Sequence, residues 1–185
     1  MTFIIGYQGN DFAVIGTDLC SRNLFGRYSL KDKLKKSKTE SHYIAWSGIM
    51  NTFEEEELYS KPLEKLILEA SDLQMKVPTK MRANAIIVAP EHNQIYYWGN
   101  NPNTRVKLKQ DSLITLGIDL TLFGIPCEKL KNRLNPKEIA DKLMQVVLLV
   151  GEYFPQYVNG VAVYTIEHGS IREHYHSIKA AAYLI

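Results

Sequence analysis

The sequence has few of the residues that stabilise small secreted or metal-binding domains. Of 185 residues only Cys20 and Cys127 are cysteines, far apart and without a CxxC or Cys/His spacing. This scarcity argues against a disulfide framework and a zinc site, so we expect two buried free thiols. No run approaches the roughly 18 apolar residues of a membrane span, and no basic segment precedes an apolar core. We therefore expect a soluble intracellular protein without a signal peptide.

The chain also lacks an excess of charge of one sign. Its 22 basic residues nearly balance its 20 acidic residues, for a formal net charge of +2. That balance gives no reason to expect a nucleic acid or an anionic membrane as a partner. Internal repeats, linkers and low-complexity segments are absent. A chain of 185 residues that is 45% hydrophobic can build one substantial core, so we expect a single domain over residues 1–185.

What is present begins with a β-hairpin over residues 2–18, TFIIGYQGNDFAVIGTD. The turn residues at 8–11, Gln-Gly-Asn-Asp, separate two apolar arms, and Gly, Asn and Asp tolerate the positive φ that tight turns need. Because both arms are apolar at successive positions, we expect other layers to cover the sheet on both faces. A buried hairpin at this place puts position 2 inside the architecture.

Further strands are indicated by alternating or continuous apolar segments between turn residues. A lysine-rich segment reads as a charged edge strand, whose solvated lysines discourage unwanted pairing. The connection between residues 19 and 32 reads as irregular. The predicted strands cover residues 33–38, 42–47, 83–89, 94–99, 106–108, 112–116, 161–166 and 171–178.

Two helices are predicted in the first half of the chain. Asn51 or Thr52 can cap the first, and the glutamates at 54–56 place negative charge where the helix dipole favours it. Pro62 suits the first turn of the second helix. That helix has its apolar residues at helical spacing and ends before Pro78.

Two more helices are predicted in the second half. The segment at 120–134 is helical with a proline that kinks or divides it. Asn135 and Glu138 have the spacing of a capping box, and the helix that they begin is expected to end at Gly151. The order is therefore strands, two helices, strands, two helices, strands. This order predicts an α+β fold, with a layered sandwich as its architecture.

This order resembles that of the N-terminal nucleophile hydrolases, and specifically of the beta-type subunits of the 20S proteasome, over nearly the whole chain. The resemblance implies a four-layer αββα sandwich of two antiparallel sheets between helix pairs. It depends on Ile5-Gly6, Gln8-Gly9, Asp11, Thr17-Asp18, Lys31-Asp32-Lys33 and the segment 163–172.

In active members of that family a processed amino-terminal Thr attacks the peptide carbonyl, with its own amine as base and an Asp and a Lys nearby. Thr2, Asp18 and Lys33 match these positions. The chemistry is sound, because a hydroxyl is a weak nucleophile until a base is held beside it, and a nearby cation lowers the pKa of its neighbours.

Other positions depart from the active pattern. Met1 precedes Thr2, and an amine in peptide linkage is not a base. The family's supporting Gly-Ser-Gly reads Gly117-Ile118-Asp119, and its Asp-x-x-Ser-Gly reads Gln-Tyr-Val-Asn-Gly at 156–160. We therefore expect no catalytic residue, with Thr2, Asp18 and Lys33 as vestigial candidates and with Asp18 and Lys33 kept as a structural ion pair.

The resemblance implies a noncatalytic subunit that contacts other alpha and beta subunits in stacked seven-membered rings, without a cofactor, in cytoplasm and nucleus. That complex degrades proteins in a ubiquitin-dependent way. The alternatives are an active Thr2 amidohydrolase after removal of Met1, and a free-standing prokaryotic homo-oligomer of the same fold.

Two remaining groups could bind ligands. His174 and His176 alternate on a predicted strand, which would put both imidazoles on one face and could suit a metal, although no third ligand is evident nearby. Exposed or interface histidines are the simpler interpretation. The glutamates at 54–57 could bind a cation or a basic partner, and a solvated helix start explains them equally well.

Overall fold

A computed structural model describes most of the chain, namely residues 2–22, 28–75, 83–99, 101, 104–118, 135–156 and 158–177. Several predictions fall outside the described residues, so their outcome stays open. They are the helix at 120–134, the end of the second helix near Pro78, Cys127, Asp119, Tyr157 and the carboxyl-terminal segment 180–185.

The first sheet contains five antiparallel strands, and the predicted hairpin forms its centre. The strands are β1 (Ile4–Gln8), β2 (Phe12–Thr17), β9 (Ser112–Leu116), β10 (Val161–Glu167) and β11 (Ser170–Ser177). Their order is β11-β10-β2-β1-β9. Every residue of β1 is buried, which confirms the expectation that both faces of the hairpin are covered.

The second sheet contains four antiparallel strands in the order β5-β6-β7-β8. These are β5 (Lys35–Lys36), β6 (Tyr43–Gly48), β7 (Ala83–Ala89) and β8 (Gln94–Trp98), with a short 3₁₀ turn at Pro90–His92 between β7 and β8. The predicted lysine-rich edge strand is therefore present but shorter than expected. Both of its residues are exposed.

Two sequence predictions in the connecting segments are wrong. The stretch after Asp18 is not wholly irregular, because β3 (Cys20–Arg22) and β4 (Tyr28–Leu30) pair as a small antiparallel sheet. Residues 106–108 do not form a strand and make only an isolated bridge, Lys107 to Tyr96. A segment of three residues is too short for its hydrophobic pattern to distinguish a strand from a single β-bridge.

The helices within the described residues are α1 (Thr52–Ser60), α2 (Leu63–Met75) and α3 (Pro136–Tyr153). Asn135 and Glu138 form the predicted capping box at α3. At α1 the cap is Asn51, one of the two predicted candidates, and its capping box with Glu54 was not predicted. The prediction that α3 ends at Gly151 is wrong. The helix continues to Tyr153, since a glycine within a helix costs about 1 kcal/mol, too little to end it.

Each interface between these elements has its own apolar cluster. The first joins the five-stranded sheet to α3, through Phe3, Ile5, Tyr7, Leu143 and Val147 among others. The second lies between the two large sheets and includes Ile4, Ile15, Ala45, Ile86 and Ile95. The third joins the four-stranded sheet to α1 and α2, and includes Ile44, Ile87, Leu58, Tyr59 and Leu66.

The architecture is thus α+β, with antiparallel sheets whose faces are covered by each other and by helices. Buried Gln8 and Gln94 bridge the two large sheets, because Gln94 Nε2 donates to Gln8 Oε1 at 3.0 Å. No helix in the described part is long and apolar enough to cross a membrane.

Candidate functional site

Thr2 lies directly before β1, at the edge of the space between the two large sheets. Its carbonyl oxygen occupies the place that a Cβ on Gly117 would take, only 1.5 Å from that ideal position. Ser47, near the end of β6, lies close to the same point, with its Oγ 3.0 Å away. Gly117 has φ of +91°, so the end of β9 turns in a conformation that glycine adopts readily. Because Gly117 has no side chain, the carbonyl group of Thr2 can pack directly against its Cα.

Asp18 is the centre of the site and is completely buried. Its Oδ1 accepts the backbone N–H of Phe3 at 2.7 Å, and its Oδ2 accepts the N–H of Cys20 at 3.0 Å. The backbone of Asp18 donates in turn to the carbonyl of Phe3 at 3.0 Å. The carboxylate thereby fixes the amino-terminal end of β1 against the residues that follow β2.

Lys33 connects the carboxylate to the hydroxyl. Its Nζ lies 3.2 Å from Asp18 Oδ2 and donates to Thr2 Oγ1 at 2.8 Å. The Lys33 side chain is only 8% exposed. The structure thus brings together Thr2, Asp18 and Lys33, the three residues that the sequence selected, and pairs Asp18 with Lys33 as expected.

Burial dominates the ionisation of this pair. It raises the pKa of Asp18 from 3.8 to about 6, although Lys33 and the N–H groups of Phe3 and Cys20 lower that pKa in part. Burial likewise lowers the pKa of the Lys33 ammonium, against the opposing effect of Asp18. Both charged forms are therefore costly alone and are stabilised by each other.

Two segments, 117–119 and 156–160, match the positions where the family's active members support the site, and Ile118, Val158 and Asn159 are described in them. Ile118 is buried in the cluster that joins the five-stranded sheet to α3, as is Val158. Asn159 lies close to the site, because its carbonyl accepts the N–H of Leu19 at 3.0 Å. Its Oδ1 is buried and accepts no hydrogen bond from the residues that the structure describes. Within the described residues, no hydroxyl from these two segments reaches Thr2.

The hydrogen bond from Lys33 to Thr2 determines which steps of a nucleophilic reaction this site could support. An ammonium that donates to Thr2 Oγ1 stabilises negative charge on that oxygen and holds the hydroxyl in one orientation. It cannot also accept the hydroxyl proton while it is protonated. A nucleophilic Thr2 would therefore need a separate base, such as a free α-amine.

His174 and His176 do not share a site, so the expectation that both imidazoles lie on one face of the strand is wrong. His174 Nε2 lies 2.9 Å from Asp141 Oδ1 on α3, whereas His176 Nε2 lies 3.1 Å from Asp32 Oδ1 in the segment before β5. Each imidazole thus faces its own carboxylate.

A β-bulge separates the two histidines. The pairing of β10 with β11 shifts between Val163 and Tyr164, which leaves His174 without an opposite residue. His176 pairs with Ala162, on the face opposite to the valines that pack on α3. A one-residue shift reverses the face of every later side chain.

The acidic run of α1 forms ion pairs with lysines in and after β5. Lys35 lies 2.9 Å from Glu55 Oε1 and Lys38 lies 3.5 Å from Glu56 Oε2. Glu57 pairs with Lys61 at 2.8 Å. Most of these side chains are substantially exposed, so the pairs contribute little each.

Sequence reasoning missed the backbone groups of the site. The N–H donors of Phe3 and Cys20 and the close approach of Gly117 to Thr2 have no side-chain signature. The only signal was Gly117 itself, since an isolated glycine directly after a predicted strand often marks a close approach of backbones.

Neither a search against protein-family models nor a search of curated proteins finds a match to this chain.

Proposed function

We propose that this chain is a noncatalytic beta-type subunit of the 20S proteasome core particle, most similar to the type-4 beta subunit of eukaryotes. In this role it would help to assemble the rings and to enclose the chamber in which ubiquitin-tagged proteins are degraded. One observation carries the proposal. Thr2, directly before β1, is hydrogen-bonded to Lys33, and Lys33 pairs with the buried Asp18.

The packing of the sheets supports the finer fold assignment. One apolar cluster lies between the two large sheets, one between the five-stranded sheet and α3, and one between the four-stranded sheet and α1 and α2. This is the succession of layers that a four-layer αββα sandwich of the N-terminal nucleophile hydrolases requires. The central hairpin that carries Thr2 and Asp18 lies in one inner sheet.

Three features favour a structural role over a catalytic one. Asp18 makes two hydrogen bonds to backbone N–H groups and so holds the chain together whether or not Thr2 reacts. Ile118 and Asn159 stand where the family's active members carry supporting hydroxyls, and a reacting group without such support is poorly oriented. Met1 stands before Thr2 in the sequence, and an acylated amine is no base.

A second candidate function is an active N-terminal-Thr amidohydrolase. It is favoured by the 2.8 Å hydrogen bond from Lys33 Nζ to Thr2 Oγ1, which is the contact that a nucleophilic oxygen would use. In that case Met1 must be removed in the cell, so that the Thr2 amine is free to accept the hydroxyl proton.

The decisive experiment measures the intact mass of the native protein before and after incubation with a covalent inhibitor directed at amino-terminal Thr. We expect the mass to include Met1 and to stay unchanged by the inhibitor. Thr2→Ala serves as the matched control. An adduct on the native protein that is absent from Thr2→Ala would replace the proposal with the amidohydrolase.

Assembly needs its own measurement. Native mass spectrometry of the tagged protein from its source cells should find it in a large hetero-oligomer with other subunits of related fold, because a ring position requires two different contact surfaces. A monomer, or an oligomer of this chain alone, would contradict the structural proposal even if Thr2 proves inert.

A further inference from the structure

A small cavity of about 180 Å³ lies at the start of β6, away from Thr2. It is lined by the residues directly before β6, by the first residue of α2, and by the end of β7 with the 3₁₀ turn that follows. Its chemistry comes from two carboxylates and two imidazoles, those of Glu40, Glu91, His42 and His92.

His42 is the unusual member of this group. Only 3% of the residue is exposed, and neither ring nitrogen has a hydrogen-bond partner among the described residues. Its backbone is held, since its carbonyl accepts the N–H of Ser37 at 2.8 Å. Buried polar atoms in folded proteins are nearly always paired. Among the described residues Nδ1 has only the Glu40 carboxylate, at 3.4 Å, and Nε2 has no hydrogen-bond partner, so this imidazole can accept a ligand.

Glu40 lies beside this imidazole at ion-pair distance. Glu40 Oε2 is 3.4 Å from His42 Nδ1 and accepts the backbone N–H of Leu63 at 2.9 Å, which orients the carboxylate. Ligand distances of about 2.0 to 2.2 Å in a tetrahedral site put neighbouring donor atoms roughly 3.3 to 3.5 Å apart. The separation of these two atoms fits two ligands of one ion.

We propose that His42 Nδ1 and Glu40 Oε2 bind a divalent transition metal ion of the Zn²⁺ class, which takes imidazole and carboxylate ligands together. As they stand, no three His, Cys, Asp or Glu side chains in the described ranges are gathered closely enough to hold an ion alone. Glu91 or His92 therefore turns inward, or water fills the remaining positions.

Glu91 has a competing partner, because Ser41 Oγ donates to its Oε1. Its recruitment would break that hydrogen bond. With two or three protein ligands, the site binds its ion reversibly and leaves a position open to solvent. The proposal does not depend on the function proposed above, since none of these residues touches Thr2, Asp18 or Lys33 in the described contacts.

The test titrates the full-length, metal-stripped protein with ZnCl₂ by calorimetry and with CoCl₂ by visible absorption, where tetrahedral Co²⁺ gives intense bands. We expect one equivalent of each ion to bind, with the Co²⁺ spectrum of a mixed nitrogen and oxygen site. His42→Gln and Glu40→Gln should each weaken binding at least about tenfold, since even the loss of groups behind the ligands costs 10- to 100-fold.

His174→Gln is the matched control, because it removes a histidine that faces a carboxylate elsewhere. It should leave the binding unchanged. Glu40 is 44% exposed, so Glu40→Gln should fold even if His42→Gln does not. The proposal is overturned if no saturable binding is seen, if Glu40→Gln binds as tightly as the parent, or if His174→Gln removes the binding.

Discussion

Strand β6 has a buried polar site near each end, and the two sites differ in how their atoms are paired. Near Ser47, Asp18 is surrounded by two backbone donors and an ammonium. Before Tyr43, His42 is equally deep, but its ring nitrogens have no hydrogen bond within the described part of the chain. Folding alone pairs the carboxylate of Asp18, so we call the Asp18 site complete. The His42 site is incomplete, and the cavity beside it has room for a ligand.

The largest expected effect comes from breaking the complete site. Lys33→Met removes the cation but keeps the length of the side chain, and it leaves the carboxylate of Asp18 buried and unpaired. We expect the free energy of unfolding at pH 7.5 to fall by about 3–5 kcal/mol, measured by urea denaturation. Lys35→Met, which breaks the exposed pair with Glu55, should cost less than about 1 kcal/mol. Equal losses would mean that burial of the Asp18 pair has no energetic consequence.

A second change tests the packing around Thr2. Gly117→Ala would place a methyl group on the Thr2 carbonyl, in a backbone conformation that alanine adopts with strain. We expect a loss of about 2–4 kcal/mol in thermal or chemical unfolding. Gly169→Ala has a similar φ of +73° but open space around its Cβ, so it should cost only about 1 kcal/mol. Equal free energies of unfolding for the two variants would contradict the close contact between the Thr2 carbonyl and Gly117.

The pH dependence of stability tests the ionisation of Asp18. Because burial raises its pKa from 3.8 to about 6, the folded protein holds a proton that the unfolded chain has released in this range. Its contribution to stability is therefore complete below pH 3.8 and is lost as the pH rises to about 6, with a slope of at most about 1.4 kcal/mol per unit.

Asp18→Asn should lack this decline, so the free energy of unfolding of the parent minus that of the variant, plotted against pH, should show the contribution of Asp18 alone. In Lys33→Met the decline should extend above pH 6, because the ammonium that lowers the pKa of Asp18 is gone. A profile of the parent protein that rises with pH between 4 and 6 relative to Asp18→Asn would show that pairing, not burial, controls this carboxyl group.

The smallest effect is expected at the incomplete site. His42→Leu exchanges an unpaired imidazole for an apolar side chain of similar size, so no hydrogen bond is lost. In metal-free protein we expect the free energy of unfolding to change by less than about 1 kcal/mol, by the urea titration used for Lys33→Met. A loss of 3 kcal/mol or more would contradict the contrast between the two sites.

The parts of the structure that sequence could predict are those set by neighbours in the chain. The capping box of Asn135 with Glu138 lies within four residues and is predicted by their spacing, and the sequence also names Asn51 as one of two candidate caps of α1. The hairpin of β1 and β2 depends on a turn of four residues. Thr2, Asp18 and Lys33 were selected by resemblance, and the fold brings them within hydrogen-bonding distance.

The features that sequence could not predict depend on contacts between distant segments. The bulge at His174 follows from the register of β10 against β11, and register is not visible in an alternating pattern. The unpaired state of His42 depends on α2 and on the turn after β7. The extension of α3 past Gly151 to Tyr153 follows from the small cost of a single glycine within a helix, which a glycine taken as a stop signal does not reveal.

The bulge in β11 has a consequence for the edge of the five-stranded sheet at which β11 is the last of the described strands. An added strand from another molecule would need evenly spaced N–H and C=O groups along its whole length. The irregular spacing at His174, with Arg172 and Glu173 beside it, makes such a template discontinuous and charged. This margin of the molecule is therefore protected from fibril-like growth.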